Sequence, residues 1–165
     1  MIEEVKRSYL EINSPQDLKE VPKPIEDYSL NLLDPINFQL NKFFYKNVGK
    51  KHKWIDRLVW TETQWINYVS NKNVRTFIFK NKEDLAGFFE LIFHPEKREI
   101  EIAYFGLLEE YQNKKLGSYL LSEAIKRSFE HSIKRVWLHT CSLDHKNALS
   151  NYVAVSYTHL RAHET

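Results

Sequence analysis

The 165-residue chain has little cysteine, little glycine, no long apolar run and no surplus of one charge. A single cysteine, Cys141, excludes a disulfide within the chain and fits a reducing compartment. Only four glycines occur (Gly49, Gly87, Gly106 and Gly117), so each calls for a backbone reason. Lys and Arg together number 24 against 22 Asp and Glu, a balance that does not mark a dedicated nucleic-acid binder. No segment approaches the roughly 18 apolar residues of a membrane span. The opening MIEEVKRSYLEI lacks the basic-then-apolar order of a secretory leader. What is present is core material: 42% hydrophobic and 14% aromatic residues, too many for a disordered chain. These features lead us to expect one cytoplasmic globular domain without membrane or nucleic-acid partners.

Along the chain, residues 5–12 read as a short strand and residues 14–28, with Pro15, Pro22 and Pro24, as a connector. Residues 28–33 alternate as a strand. Asp34-Pro35 then reads as an N-cap followed by proline, opening a helix over 36–47. Thr61 and Gln64 stand in capping-box spacing at the head of a second helix over 61–69. Three extended runs follow at 74–80, 85–93 and 98–107, separated by NKED and HPEK, the pattern of an antiparallel meander. Residues 112–130 carry Leu116, Leu120, Leu121, Ala124, Ile125 and Phe129 on one helical face. A buried-type strand at 134–140 and a short helix at 145–152 complete an α+β or mixed α/β layer.

The most informative segment is EIEIAYFGLLEEYQNKKLGSYLL, residues 99–121. A strand that runs through a short polar turn into a helix start presents free backbone N–H groups at the positive end of a helix dipole, an anion site suited to phosphate. Gly117 removes a side chain there, and Lys114 and Lys115 add positive charge. Without further signals, a solvated, lysine-rich helix start is the favoured reading of the same residues.

The order of elements over about residues 28–154 resembles the GNAT acetyltransferase family. Its pyrophosphate motif, Gln/Arg-x-x-Gly-x-Gly/Ala, is matched by Gln112 and Gly117, with Lys115 standing at the first glycine position. The resemblance implies a GNAT-like fold, a mostly antiparallel sheet flanked by helices, with acetyl-CoA as cosubstrate. It places the pantetheine arm on the backbone of Phe105, Gly106 and Leu107. The pyrophosphate falls on Gln112, Asn113, Lys114, Lys115, Leu116, Gly117 and Ser118. Glu101, eleven residues before Gln112, falls where a strand glutamate acts as general base; a carboxylate there can accept the proton that an ammonium must lose before its nitrogen attacks a thioester. Read from the residues alone, Glu99 and Glu101 are equally the solvent half of an alternating strand. Residues 144–152, DHKNALSNY, resemble the family's Asn-x-x-Ala-x-x-x-Tyr helix. That implies Tyr152 as proton donor to the departing thiolate and His145 as a cofactor contact; Tyr152 also reads as core filling.

Trp54, Arg57 and Trp60, followed by Trp65, resemble an aromatic-Asp-Arg signature of a small-molecule branch of the family. The resemblance implies that Arg57 holds a substrate carboxylate and the Trp rings line an apolar wall; a buried aromatic hinge is the other reading. No metal is implied, since His159 and His163 lack a third ligand nearby. Residues 155–165, VSYTHLRAHET, resemble a translated sequencing adapter. The expected division is therefore a strand and connector over 1–27, the acetyltransferase domain over 28–154, and a non-native tail. With two C-terminal family strands missing, Val136, Trp137 and Leu138 are expected to form an uncovered apolar edge. The expected activity is acetyl transfer to a primary amine of a small molecule or peptide in a ternary complex, by a monomer or homodimer. A non-catalytic, CoA-binding regulatory module is the alternative.

Overall fold

A computed structural model describes residues 7–52, 54–112, 115–141 and 154–155. Its elements are β1 (Arg7–Ile12), β2 (Tyr28–Leu32), α1 (Phe38–His52), α2 (Glu62–Ser70), β3 (Val74–Asn81), β4 (Asp84–His94), β5 (Glu99–Leu107), α3 (Leu116–Ser128) and β6 (Arg135–Cys141). They form a six-stranded sheet in the order β1-β6-β5-β4-β3-β2. Every neighbouring pair is antiparallel except β5 and β6, which are joined by α3 and run parallel. A parallel pair needs such a crossover, whereas β3, β4 and β5 connect through tight turns. β4 is central because LAGFFELIF offers apolar side chains to both faces, and Ala86 to Leu91 are buried.

The two helical layers lie on opposite faces. Phe44 of α1 stacks on Phe88, while Tyr119 of α3 meets Phe79, the partner of Gly87. Because Gly87 and Phe88 are consecutive, those contacts lie on opposite sides of the sheet. α3 closes its side with Leu120, Ala124 and Ile125, each at most 1% exposed. Burial of such a leucine or isoleucine stabilises by about 1.5–3 kcal/mol.

Several local expectations are corrected. Helix α1 starts at Phe38, capped by Asn37, whose side chain accepts from the Gln39 N–H at 3.1 Å; Asp34 is not its cap. It also continues past Asn47, because Val48 is buried against β5 and the Trp54 N–H donates to the Gly49 carbonyl. At α2 the Thr61–Gln64 capping box is present in both directions. α3 begins at Leu116 rather than at residue 112, since a 3-10 turn at Glu109–Tyr111 and a left-handed Lys115 precede it.

The largest correction concerns the edge of β6. β1 pairs antiparallel with it from Arg7↔Cys141 to Ile12↔Val136, so Val136, Trp137 and Leu138 are covered. The physical reason lies in VKRSYLEI, which alternates: Leu10 and Ile12 are each 1% exposed, while the strand backbone satisfies β6 donors and acceptors. Arg135 of β6 also grips Glu11 of β1. Val155 is buried, and its carbonyl accepts from the Lys19 N–H at 2.7 Å. No helix among the described residues is long and apolar enough to cross a membrane.

Candidate active site

The parallel ladder between β5 and β6 is short. It runs from Glu99↔Arg135 to Ile102↔Leu138 and stops, although β5 continues against β4 and β6 continues against β1. A fork therefore opens beyond Ile102, where Phe105, Gly106 and Leu107 have no β6 partner. A bulge lies at its root: Glu90 pairs with Tyr104 but Leu91 pairs with Ile102, leaving Ala103 as an extra residue on β5. This extra residue reverses the alternation. Simple alternation puts Glu101 and Tyr104 on opposite faces; with the bulge, Glu101 shares the α1/α2 face with Tyr104 and Glu90, through its partner Ile92.

Next to the fork is the start of α3. Its N-cap, Lys115, has φ 61° and ψ 17°, and the Lys115 side chain makes no cap hydrogen bond. Leu116, Gly117 and Ser118 open that turn, whose first N–H groups have no carbonyl partner inside the helix. The Gln112 side chain donates to the Leu107 carbonyl at 3.2 Å, tying the turn to the end of β5. Gly106 owes its identity to α1: a Cβ there would stand 2.3 Å from Val48 Cγ1. Asn113, Lys114, His145 and Tyr152 lie outside the described residues.

Glu101 is not simply part of a wet strand face. Its Oε1 lies 3.1 Å from His94 Nε2, with the Glu101 side chain 20% exposed. The His94 ring stacks on Trp137 at 5.9 Å with an interplanar angle of 20°. Glu99, buried, accepts from Arg135 Nη1 at 2.9 Å.

Beside this face lies a buried polar cluster that the sequence reading missed. Glu90, in the middle of β4, is fully buried. Its carboxylate accepts from Asn41 Nδ2 at 2.9 Å, Arg57 Nη1 at 3.0 Å and the Tyr68 hydroxyl at 2.7 Å. Arg57, for which the family resemblance implies a substrate carboxylate, is engaged here by a carboxylate of its own chain, within the buried aromatic cluster that the other reading expects. Its guanidinium lies 4.1 Å from the Tyr68 ring centre, 4.2 Å from Tyr104 and 4.7 Å from Trp60. Trp54 packs edge-on against Tyr104, and Trp60 against Trp65. Burial by itself lowers the Arg57 pKa, but Glu90 and the hydroxyls of Tyr68 and Tyr104 more than offset that, and the net direction is upward. Burial pushes the Tyr104 hydroxyl up to about 12, against the pull of Arg57. The signal that betrays Glu90 is a lone carboxylate inside FFELIF, because a buried charge requires partners.

A separate cavity of about 320 Å³ lies between the end of β2, the start of β3 and the adjoining ends of α1 and α2. It sits on the far side of β4 from the fork, so its size does not make it the reaction site.

Comparison with known proteins agrees with this geometry. The sequence model of the Acetyltransferase (GNAT) family matches residues 36–154. No curated protein matches the sequence. Among solved structures, a GCN5-related N-acetyltransferase from Sphaerobacter thermophilus aligns with TM-score 0.68 at 12% identity, over 97% of this chain and 50% of that one. An aminoglycoside acetyltransferase from an uncultured soil metagenomic sample aligns with TM-score 0.64 at 11% identity, over 78% and 86%. The ribosomal-protein-S18-alanine N-acetyltransferase of Escherichia coli gives 0.58 at 16%, over 77% and 75%. A GCN5-related N-acetyltransferase from Kribbella flavida is covered to 48%, so this chain spans about half the length of that relative and of the Sphaerobacter one. At these identities the likeness is one of fold. Family match, sheet order and forked β5–β6 pair converge: the chain belongs to the GNAT acetyltransferase family.

Proposed function

We propose that the chain transfers the acetyl group of acetyl-CoA to a primary amine of a small molecule or peptide, with residues 28–154 forming the catalytic domain. The observation that carries this reading is the fork: the edge of β5 at Phe105 to Leu107 that β6 does not pair opens beside the start of α3, with a carboxylate at its root. The strand groups that β6 leaves unpaired on this edge suit the amides of a pantetheine arm. The N–H groups at the head of α3, with the helix dipole behind them, suit a pyrophosphate. Lys115 keeps its backbone N–H despite replacing a glycine, and it adds a positive charge.

Glu101 takes a proton from the acceptor ammonium, directly or through one water. The freed nitrogen attacks the thioester carbonyl, a C–N bond forms, and the C–S bond breaks. The leaving thiolate takes up a proton, which we assign to Tyr152; the proton that the attacking nitrogen still has to lose replaces it on the Tyr152 oxygen by way of water, and Glu101 releases its proton to solvent, so the products are an amide, the free thiol of CoA and one proton. Holding amine and thioester in one opening supplies much of the rate, and no covalent enzyme intermediate is needed. Trp54, Trp60 and Arg57 form the wall next to Tyr104, past which an acceptor reaches Glu101.

Calorimetry with acetyl-CoA tests the cofactor half. Gly117→Glu, which adds bulk and negative charge at the helix start, is expected to abolish binding. Unchanged affinity in that variant removes the proposed pyrophosphate site. Cofactor binding with no acetylation across a broad panel of amines returns the regulatory-module reading.

A further inference from the structure

We propose that His94 is a positioning residue for the base, holding one oxygen of Glu101 so that the other faces the acceptor amine; this rests on Glu101 being the base. His94 ends β4 directly opposite Glu99, and Glu101 is the diagonal neighbour on the same face. Two carboxylates thus compete for one imidazole. Arg135 removes the competitor, because its guanidinium takes Glu99 on one side and Glu11 on the other.

The ring is held for the task. Pro95 follows His94 and restricts its backbone, while the flat stack on Trp137 sets the plane of the imidazole. Trp137 is itself the β6 partner of Glu101, so base, ring and stacking platform occupy one patch at the root of the fork. A carboxylate only accepts, so the proton in the 3.1 Å contact belongs to His94 Nε2. Glu101 Oε1 is thereby occupied and Oε2 remains to accept from the amine. A free glutamate samples several rotamers; a tethered one presents Oε2 from a fixed place, and general-base efficiency depends on that geometry. In the sequence HPEK signals only a turn, since nothing in one sequence reveals that His94 and Glu101 are cross-strand neighbours.

Three substitutions in the full chain test this. His94→Phe keeps a flat ring for Trp137 but has no donor, and kcat for acetyl transfer is expected to fall about tenfold with the KM for acetyl-CoA unchanged. His94→Gln, whose amide nitrogen can reach the same oxygen, should regain most of that loss. In a Glu101→Gln background His94→Phe should change kcat by less than about twofold, because coupled residues do not act additively. An equal loss in both backgrounds, or no rescue by glutamine, reduces His94 to a structural role and overturns the proposal. Wild-type turnover in Glu101→Gln alone overturns the base assignment beneath it, a different and recognisable result. Independently of turnover, NMR should show a slowly exchanging Nε2-bound proton on His94 that is lost in Glu101→Leu, which has no acceptor; its absence from the wild type also overturns the pairing.

Discussion

At Lys115 the backbone adopts φ 61°, a conformation that costs a non-glycine residue about 1–2 kcal/mol. Glycine would adopt this conformation without that cost, so Lys115 is tolerated at a cost. Lys115→Gly is expected to stabilise the fold by about 0.5–1 kcal/mol, after allowance for the freer unfolded chain, and to keep acetyl-CoA binding. Urea denaturation and calorimetry check the two halves; a less stable variant contradicts the reading. Glu90 behaves oppositely. Glu90→Leu strands Arg57 as a buried, unpaired cation and should cost about 3–5 kcal/mol, whereas adding Arg57→Met should recover most of it. An additive double variant, measured by denaturant unfolding, argues that the pair is not coupled. Tyr104 gives a pH test. Its pKa is raised from 10.0 to about 12, so the folded state keeps a proton that the unfolded chain has released. Its contribution is full below pH 10 and disappears as pH rises through about 12, and stability should fall across that window. In Tyr104→Phe the slope over the same range should be shallower.

Among the elements, those with strong periodicity were legible and those defined by long-range pairing were not. The β3–β4–β5 meander and the α2 capping box were readable because their signals are local: turn residues, alternation and Thr61–Gln64 spacing. β1 was readable as a strand but not as the partner of β6, which lies more than a hundred residues away. Leu10→Ala removes a buried side chain from that contact and should cost about 2–5 kcal/mol, measured by thermal or denaturant unfolding. A neutral outcome argues against β1 as the cover of β6. The bulge at Ala103 matters in the same way. Glu101 is singled out in the sequence by its distance to Gln112, yet its face is set by one extra residue that alternation conceals. The Glu90 cluster draws on α1, the loop before α2, α2 itself and β4, so no window of sequence contains it.

For the whole molecule, the sheet orders the chemistry along one direction. β4 carries the buried Glu90–Arg57 support, β5 carries Glu101 and the forked backbone, and α3 supplies the helix start beside it. The support cluster fixes Tyr104 and the 54–60 loop, leaving Glu101 and His94 on the more accessible side of the same face. The measurement closest to the central claim is mass spectrometry of amine panels incubated with acetyl-CoA and either the wild-type chain or Glu101→Gln. The wild type is expected to give acetylated product and one free CoA thiol per amide formed, and Glu101→Gln to form it about 10²-fold more slowly at unchanged acetyl-CoA affinity. Equal product formation by both proteins, or none by the wild type while acetyl-CoA is bound, would contradict it.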